Sequence, residues 1–271
     1  MLLPFFHLSL LVFATLPSGA QFTKHTLALD EALPRNDSSA PLAMRGVKRS
    51  VSARATSTAL ANGLSMRTGT ISSSVKFQAS GVLLQGTDVN ISPCFQIELA
   101  ASGQLEPGAS SSRQRTELLS SVYGKTGEQW RYRWDYRLSP GVASGLTFFH
   151  MFQLFSRDLG GFIFALDLIS GRVVIRDSAA PRCGAACPSV SQSAFLGITT
   201  SHDLTVTYGD GGSIRYTVRN AATNALILQY NVSNSFIPAM ASAKMGIYRA
   251  VVSTTSAAQA FAGAFNFQRL A

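Results

Sequence analysis

The clearest pattern in the chain runs from Trp130 to Leu138. Trp130, Tyr132, Trp134, Tyr136 and Leu138 alternate with Arg131, Arg133, Asp135 and Arg137. A period of two puts one set on each face of a strand, and only one face is apolar enough to bury. Phe148 to Phe155 is a second, mostly apolar run. Phe162, Phe164, Leu166 and Leu168 alternate with Ile163, Ala165, Asp167 and Ile169, and Ser170-Gly171 turns the chain into Val173–Ile175. Leu204, Val206 and Tyr208 enter Gly209-Asp-Gly-Gly212, and Ile214, Tyr216 and Val218 leave it, which predicts a hairpin. Lys244 to Val252 and Phe261 to Leu270 read as two more strands. Long helical periodicity is absent. Many short strands without helices to cover a parallel sheet predict an all-β, antiparallel two-sheet β-sandwich, and about 200 residues suit one jelly roll. Such a sandwich can curve and offer a concave groove to an extended polymer.

The N-terminal part reads differently. Leu2 to Leu16 carries no Lys, Arg, Asp or Glu and is followed by Pro17-Ser-Gly-Ala20, which predicts a signal peptide over residues 1–20 and hence secretion. The run is too short for a membrane span. Residues 21–70 are rich in Ser, Ala, Thr and Arg without a sustained period and read as a low-order tail. The pair Lys48-Arg49 within it reads either as a propeptide cleavage site or as two solvated bases. The sandwich is expected over 71–271. Asn36, Asn90 and Asn231 open glycosylation sequons. Cys183 and Cys187 flank a short Gly/Ala segment that a local disulfide could close, leaving Cys94 over and buried; pairing of Cys94 with either of the others stays open.

Composition narrows the chemistry. The 271 residues are 46% hydrophobic and 14% charged, enough for a large core. The excess of 23 Lys+Arg over 14 Asp+Glu gives +9, so an anionic partner is expected. Secretion argues against nucleic acid. There is no zinc-site spacing, no phosphate loop, no G-x-S-x-G elbow and no strand-borne carboxylate pair such as E-x-D-x-x-E, which disfavours hydrolases. The row Arg131, Arg133, Arg137 reads as a solvated face or as a groove lining, with a lean to the first. His202, before Asp203, reads as a structural turn residue.

Three segments put polar residues on alternating positions of otherwise apolar strands: Gln114-Arg-Thr-Glu-Leu118, His150-Met-Phe-Gln-Leu154 and Lys244-Met-Gly-Ile-Tyr248-Arg249. In that order they resemble the jelly-roll polysaccharide lyases, namely the family 7 alginate lyases, the glucuronan lyases and the heparin-lyase-like group. The alginate lyase blocks read R-S/T-E-L, Q-I/V-H and Y-F-K-x-G-x-Y. The H-x-x-Q-L form resembles secreted fungal members most. The resemblance spans roughly Gln114 to Arg249. It implies a concanavalin A-like jelly roll that cuts an acidic polysaccharide by β-elimination and acts as a monomer, with glucuronan- or alginate-like polymers leading. It implies catalytic roles for Arg115, His150, Gln153 and Tyr248, and substrate binding by Glu117, Lys244, Arg113 and Arg249. No cofactor is required, although some lyases use calcium. One departure stands out. The family histidine follows the glutamine by two, whereas His150 precedes Gln153 by three. Residues three apart on a regular strand face opposite sides, so the two share a groove only across a bulge. The rival reading is a non-catalytic carbohydrate-binding module, which would need neither His150 nor Tyr248.

Overall fold

The computed structural model describes residues 57–271 except 87, 89, 110–111 and 184–185. The predicted signal peptide, Asn36 and Lys48-Arg49 lie outside the described residues. Two eight-stranded antiparallel sheets face each other. The first is ordered β1 (Thr58–Asn62), β4 (Val82–Gly86), β5 (Cys94–Leu99), β16 (Ala258–Arg269), β7 (Gln129–Leu138), β12 (Thr200–Thr207), β13 (Gly209–Asn220) and β14 (Leu226–Ile237). The second is ordered β11 (Ser189–Ser191), β10 (Arg172–Asp177), β9 (Gly161–Ile169), β8 (Phe149–Ser156), β15 (Ala241–Ala250), β6 (Arg113–Ser120), β3 (Val75–Ala79) and β2 (Arg67–Thr70). This is the all-β jelly roll expected from the alternation. It begins at Thr58, ahead of the expected boundary at residue 71, because β1 and β2 pair with β4 and β3 as edge strands. Their short, polar sequences carry little of the period-two signal.

The core fills the space between the sheets with aromatic side chains from alternating positions. Trp134 stacks on Phe152 across the sandwich at 4.7 Å, and Phe152 meets Phe164 and Tyr216 at 5.5 Å each. These contacts anchor the middle of β8 from below, which matters for the site above it. The polar row of β7 points the other way, out of the first sheet. There Arg131 pairs with Asp203, and Arg137 pairs with Asp88 and lies over Phe261, so the row forms a solvated face away from the site.

His202 is not a turn residue. It lies inside β12, buried against Trp134 at 4.6 Å and hydrogen-bonded to Thr200 Oγ1 (2.8 Å) and the Tyr216 hydroxyl (2.7 Å). Asp203, its neighbour, faces outward to Arg131 instead, as alternation requires. Burial holds the His202 imidazole down to about 3. The unfolded chain takes up a proton near the ordinary value, so stability should be full above about 6.5 and fall as pH drops towards 3, by up to ~1.4 kcal/mol per pH unit. Urea unfolding across that range should show a steeper acid loss for wild type than for His202→Gln. Parallel curves would remove His202 from the acid response.

Cys183 and Cys187 form the local disulfide, and Cys94 is free and buried, with burial raising its thiol to about 11. Such a thiol carries almost no thiolate at neutral pH and is unreactive. Asn90 and Asn231 are exposed.

Candidate functional site

The outer face of the second sheet collects the polar positions of five neighbouring strands. On β6 the core takes Gln114, Thr116 and Leu118, so Arg113, Arg115 and Glu117 share the outer face. On β15 the core takes Met245 and Ile247, leaving Lys244, Gly246 and Tyr248 outside. Register brings the two sets together: Tyr248 lies opposite Arg115, and Gly246 opposite Glu117. On its other side, β15 sets Lys244 opposite Gln153 and Tyr248 opposite His150.

That last pairing answers the spacing question. Between Met245/Phe152 and Tyr248/His150 the register shifts, and β8 shifts again against β9 between His150 and Phe152. Against β9 the extra residue is on β8, where Met151 and Phe152 are both buried in the core, while against β15 it is on β15, where Gly246 and Ile247 face the single Met151. The extra residue restores parity, so His150 and Gln153 emerge on the same face. Phe152 is held inward by its stack on Trp134. A core contact thus sets the position of two groups of the polar cluster.

Tyr248 stands at the centre. Arg113 Nη1 donates to its hydroxyl at 2.8 Å, and the Arg115 guanidinium lies over its ring at 3.9 Å. Phe148 and His150 flank the ring at 5.1 and 5.6 Å. Arg115 also donates to Gln78 Oε1 (3.2 Å) and reaches Glu106 (3.3 Å) and Glu117 (3.5 Å). Burial disfavours its charge, but Glu117, Glu106 and Tyr248 together outweigh burial and raise its pKa. Lys244 lies over the Phe155 ring at 3.9 Å. Burial lowers its pKa against the pull of Glu117, and Arg115 adds to the lowering.

Two expected binding residues take other places. Glu117 is only 1% exposed; its Oε1 accepts from Gln153 Nε2 at 2.6 Å, while Oε2 is buried without a hydrogen bond. The buried Glu117 carboxylate thus holds the Gln153 amide and lies beside the Arg115 guanidinium, inside the cluster rather than at its surface. Arg249 faces the opposite side of β15. It donates to Gln114 Oε1 (2.9 Å), the Ser256 carbonyl (2.7 Å) and the Ala100 carbonyl (2.8 Å), and burial lowers it to about 10. It ties loops to the sheet interior and leaves the binding set. Its parity with Tyr248 already carried that signal.

One group was overlooked. Asp167 of β9 lies opposite His150, is fully buried and is hydrogen-bonded to His150 Nδ1. Its other oxygen accepts from Arg176 Nη1 at 3.1 Å. The signal was a lone carboxylate inside an apolar strand. Among the described residues no group of three or more His, Cys, Asp or Glu side chains could hold a metal ion.

The cluster therefore holds a guanidinium and an amide suited to a carboxylate, with an imidazole and a phenol suited to proton transfer. No family model and no curated protein matches the sequence. Solved structures do. An endo-β-1,4-glucuronan lyase from the fungus Trichoderma reesei is 13% identical, over 74% of this chain and 93% of its own, at a TM-score of 0.51. The family 7 alginate lyase A1-II′, in complex with product, is 14% identical over 73% and 95%, at a TM-score of 0.50. At these identities the likeness is one of fold: the chain has the jelly roll of the family 7 alginate lyases and of a glucuronan lyase.

Proposed function

We propose that the chain is a secreted polysaccharide lyase that cleaves a uronate-containing polymer, glucuronan- or alginate-like, by β-elimination. The reading rests on one juxtaposition: the β8 bulge sets His150 and Gln153 on the face that holds Arg115 and Tyr248. Elimination needs those four functions together. A proton beside an ionised carboxylate is poorly acidic, so the carboxylate must first be neutralised. Arg115 does this with its fork of donors, and the Gln153 amide, held by Glu117, adds another. Arg115 already takes a carboxylate, that of the half-buried Glu106, which the substrate's group replaces. His150 removes the C5 proton, and Tyr248 protonates the leaving oxygen on C4. Lys244 and Arg113 hold neighbouring uronates. The fold neighbours, lyases of glucuronan and of alginate by name, support the substrate class.

The test is ultraviolet absorbance during incubation with glucuronan, alginate, heparin-type chains and polygalacturonate. Elimination leaves a conjugated unsaturated uronate, whereas hydrolysis leaves no such chromophore. A rise with glucuronan or alginate is expected. A flat trace with retention on an immobilised polyuronate would instead identify a binding module. A flat trace without retention would overturn both readings.

A further inference from the structure

We propose that Asp167, braced by Arg176, is a positioning residue that fixes the His150 tautomer and so makes Nε2 the proton-accepting atom. This rests on the lyase reading for its catalytic meaning, but the tautomer can be observed without any substrate.

The geometry carries the assignment. Asp167 is fully buried within β9, where an isolated carboxylate is costly and an aliphatic side chain would pack. Its two oxygens are both engaged, Oδ1 with His150 Nδ1 and Oδ2 with Arg176 Nη1 at 3.1 Å. With a guanidinium on one oxygen, the carboxylate acts as an acceptor through both, since a carboxylate only accepts hydrogen bonds. Nδ1 must therefore carry the hydrogen, which leaves the lone pair of the neutral ring on Nε2. Among the described residues Nε2 makes no hydrogen bond and is not a buried orphan. The ring cannot easily turn away, because Phe148 packs on it at 5.0 Å and Phe162 at 5.3 Å. The charged and titratable groups around it are Asp167 from β9, Arg176 from β10 behind the aspartate, and Tyr248 from β15 with Arg113 and Arg115 of β6 beyond it.

The C5 proton passes to His150 Nε2, and the electron pair of that C–H bond forms the C4–C5 double bond. The C4–O4 bond breaks, and O4 takes the Tyr248 hydroxyl proton. The imidazolium is then stabilised by the adjacent carboxylate, and solvent returns a proton from the ring to the phenolate. Asp167 touches no reacting atom in this scheme.

Two measurements test it. Long-range nitrogen–proton NMR on ¹⁵N-labelled protein, at mildly alkaline pH, reports which ring nitrogen is protonated; His150 is assigned by its absence from His150→Gln. Wild type should show the Nδ1–H form, and Asp167→Asn should move towards Nε2–H, since an amide can donate to Nδ1. His202 should not change in either spectrum. In the lyase assay Asp167→Asn should lose ~10²–10⁴-fold in kcat with KM within about threefold, as expected when a base is held in the wrong tautomer. Arg176→Met should fall in the same direction by a smaller factor. An Nε2–H ring in wild type, or an Asp167→Asn enzyme retaining kcat within about threefold, would overturn the proposal. If Asp167→Asn does not fold, the wild-type spectrum decides alone. If wild type cleaves no polymer, the lyase reading fails while the ring spectrum still decides the tautomer.

Discussion

Tyr248→Phe should lower kcat by ~10²–10⁴-fold while lowering the melting temperature by only about 2–4 °C, because the hydroxyl is the acid of the proposed elimination while the ring is the packing element. The environment of Tyr248 separates the two functions. Its ring is held by the Arg115 guanidinium at 3.9 Å and by Phe148 at 5.1 Å, contacts that phenylalanine keeps. Its hydroxyl makes one hydrogen bond, from Arg113 Nη1 at 2.8 Å, and losing it costs about 1 kcal/mol. Arg115→Ala is a harsher change. It should lose ~10²–10³-fold by removing the charge that offsets the developing enolate. It should also destabilise the fold, because Glu117 then keeps a buried charge without its cation. Initial rates, read with melting curves of the same preparations, check both. A Tyr248→Phe enzyme with near wild-type kcat would remove the tyrosine from proton transfer.

Gly246→Ala should destabilise the protein by about 3–5 kcal/mol, the largest single-residue effect expected outside the core. Gly246 sits in the shifted stretch of β15 between Met245 and Tyr248, with φ of +148°. A side chain there is strained in its own right. The space is also missing. A Cβ would lie 2.3 Å from the Thr116 carbonyl oxygen and 2.8 Å from the Glu117 Cα, both main-chain atoms of the paired strand β6. Strand β6 is held on its far side by β3, so it cannot retreat without breaking a second ladder. The Gly246 carbonyl also accepts a hydrogen bond from the Tyr136 hydroxyl at 2.9 Å, which ties the two sheets together beneath the site. Pushing the strands apart would strain that bond and displace Arg115 from Tyr248. Chemical denaturation with circular dichroism measures the loss. A variant within about 1 kcal/mol of wild type would mean that β6 gives way more easily than its pairing suggests.

The strand pattern was legible because burying one face of a sheet imposes a period of two. Thus β6, β7, β8, β9, β10, β12, β13, β15 and β16 could be anticipated within a few residues, and the jelly roll with them. Strands β1 to β5, β11 and β14 gave weaker signals. Those segments are short or, like β14, carry polar residues on an exposed edge, where packing places few demands on sequence. The alternation in β9 also breaks between Phe162 and Phe164, where the register against β8 shifts.

The candidate site divides in the same way. Residue types and parity are local properties, and they sufficed to put Arg113, Arg115 and Glu117 on one face of β6 and Lys244 and Tyr248 on one face of β15. Parity also set Arg249 opposite Tyr248, a consequence the family resemblance obscured. The relation of His150 to Gln153 was not local. It depends on where β8 bulges, and the bulge depends on the packing of Phe152 against Trp134 and on the register of β8 with strands roughly 15 and 100 residues away in the chain. The partnership of His150 with Asp167, and the hydrogen bond of Gln153 to Glu117 across β15, arise from the same cross-strand pairing. The sequence by itself determined which chemical groups line each strand and which face they take. Only the tertiary structure decided which of them meet, because strand neighbours are selected by the packing of the whole sandwich.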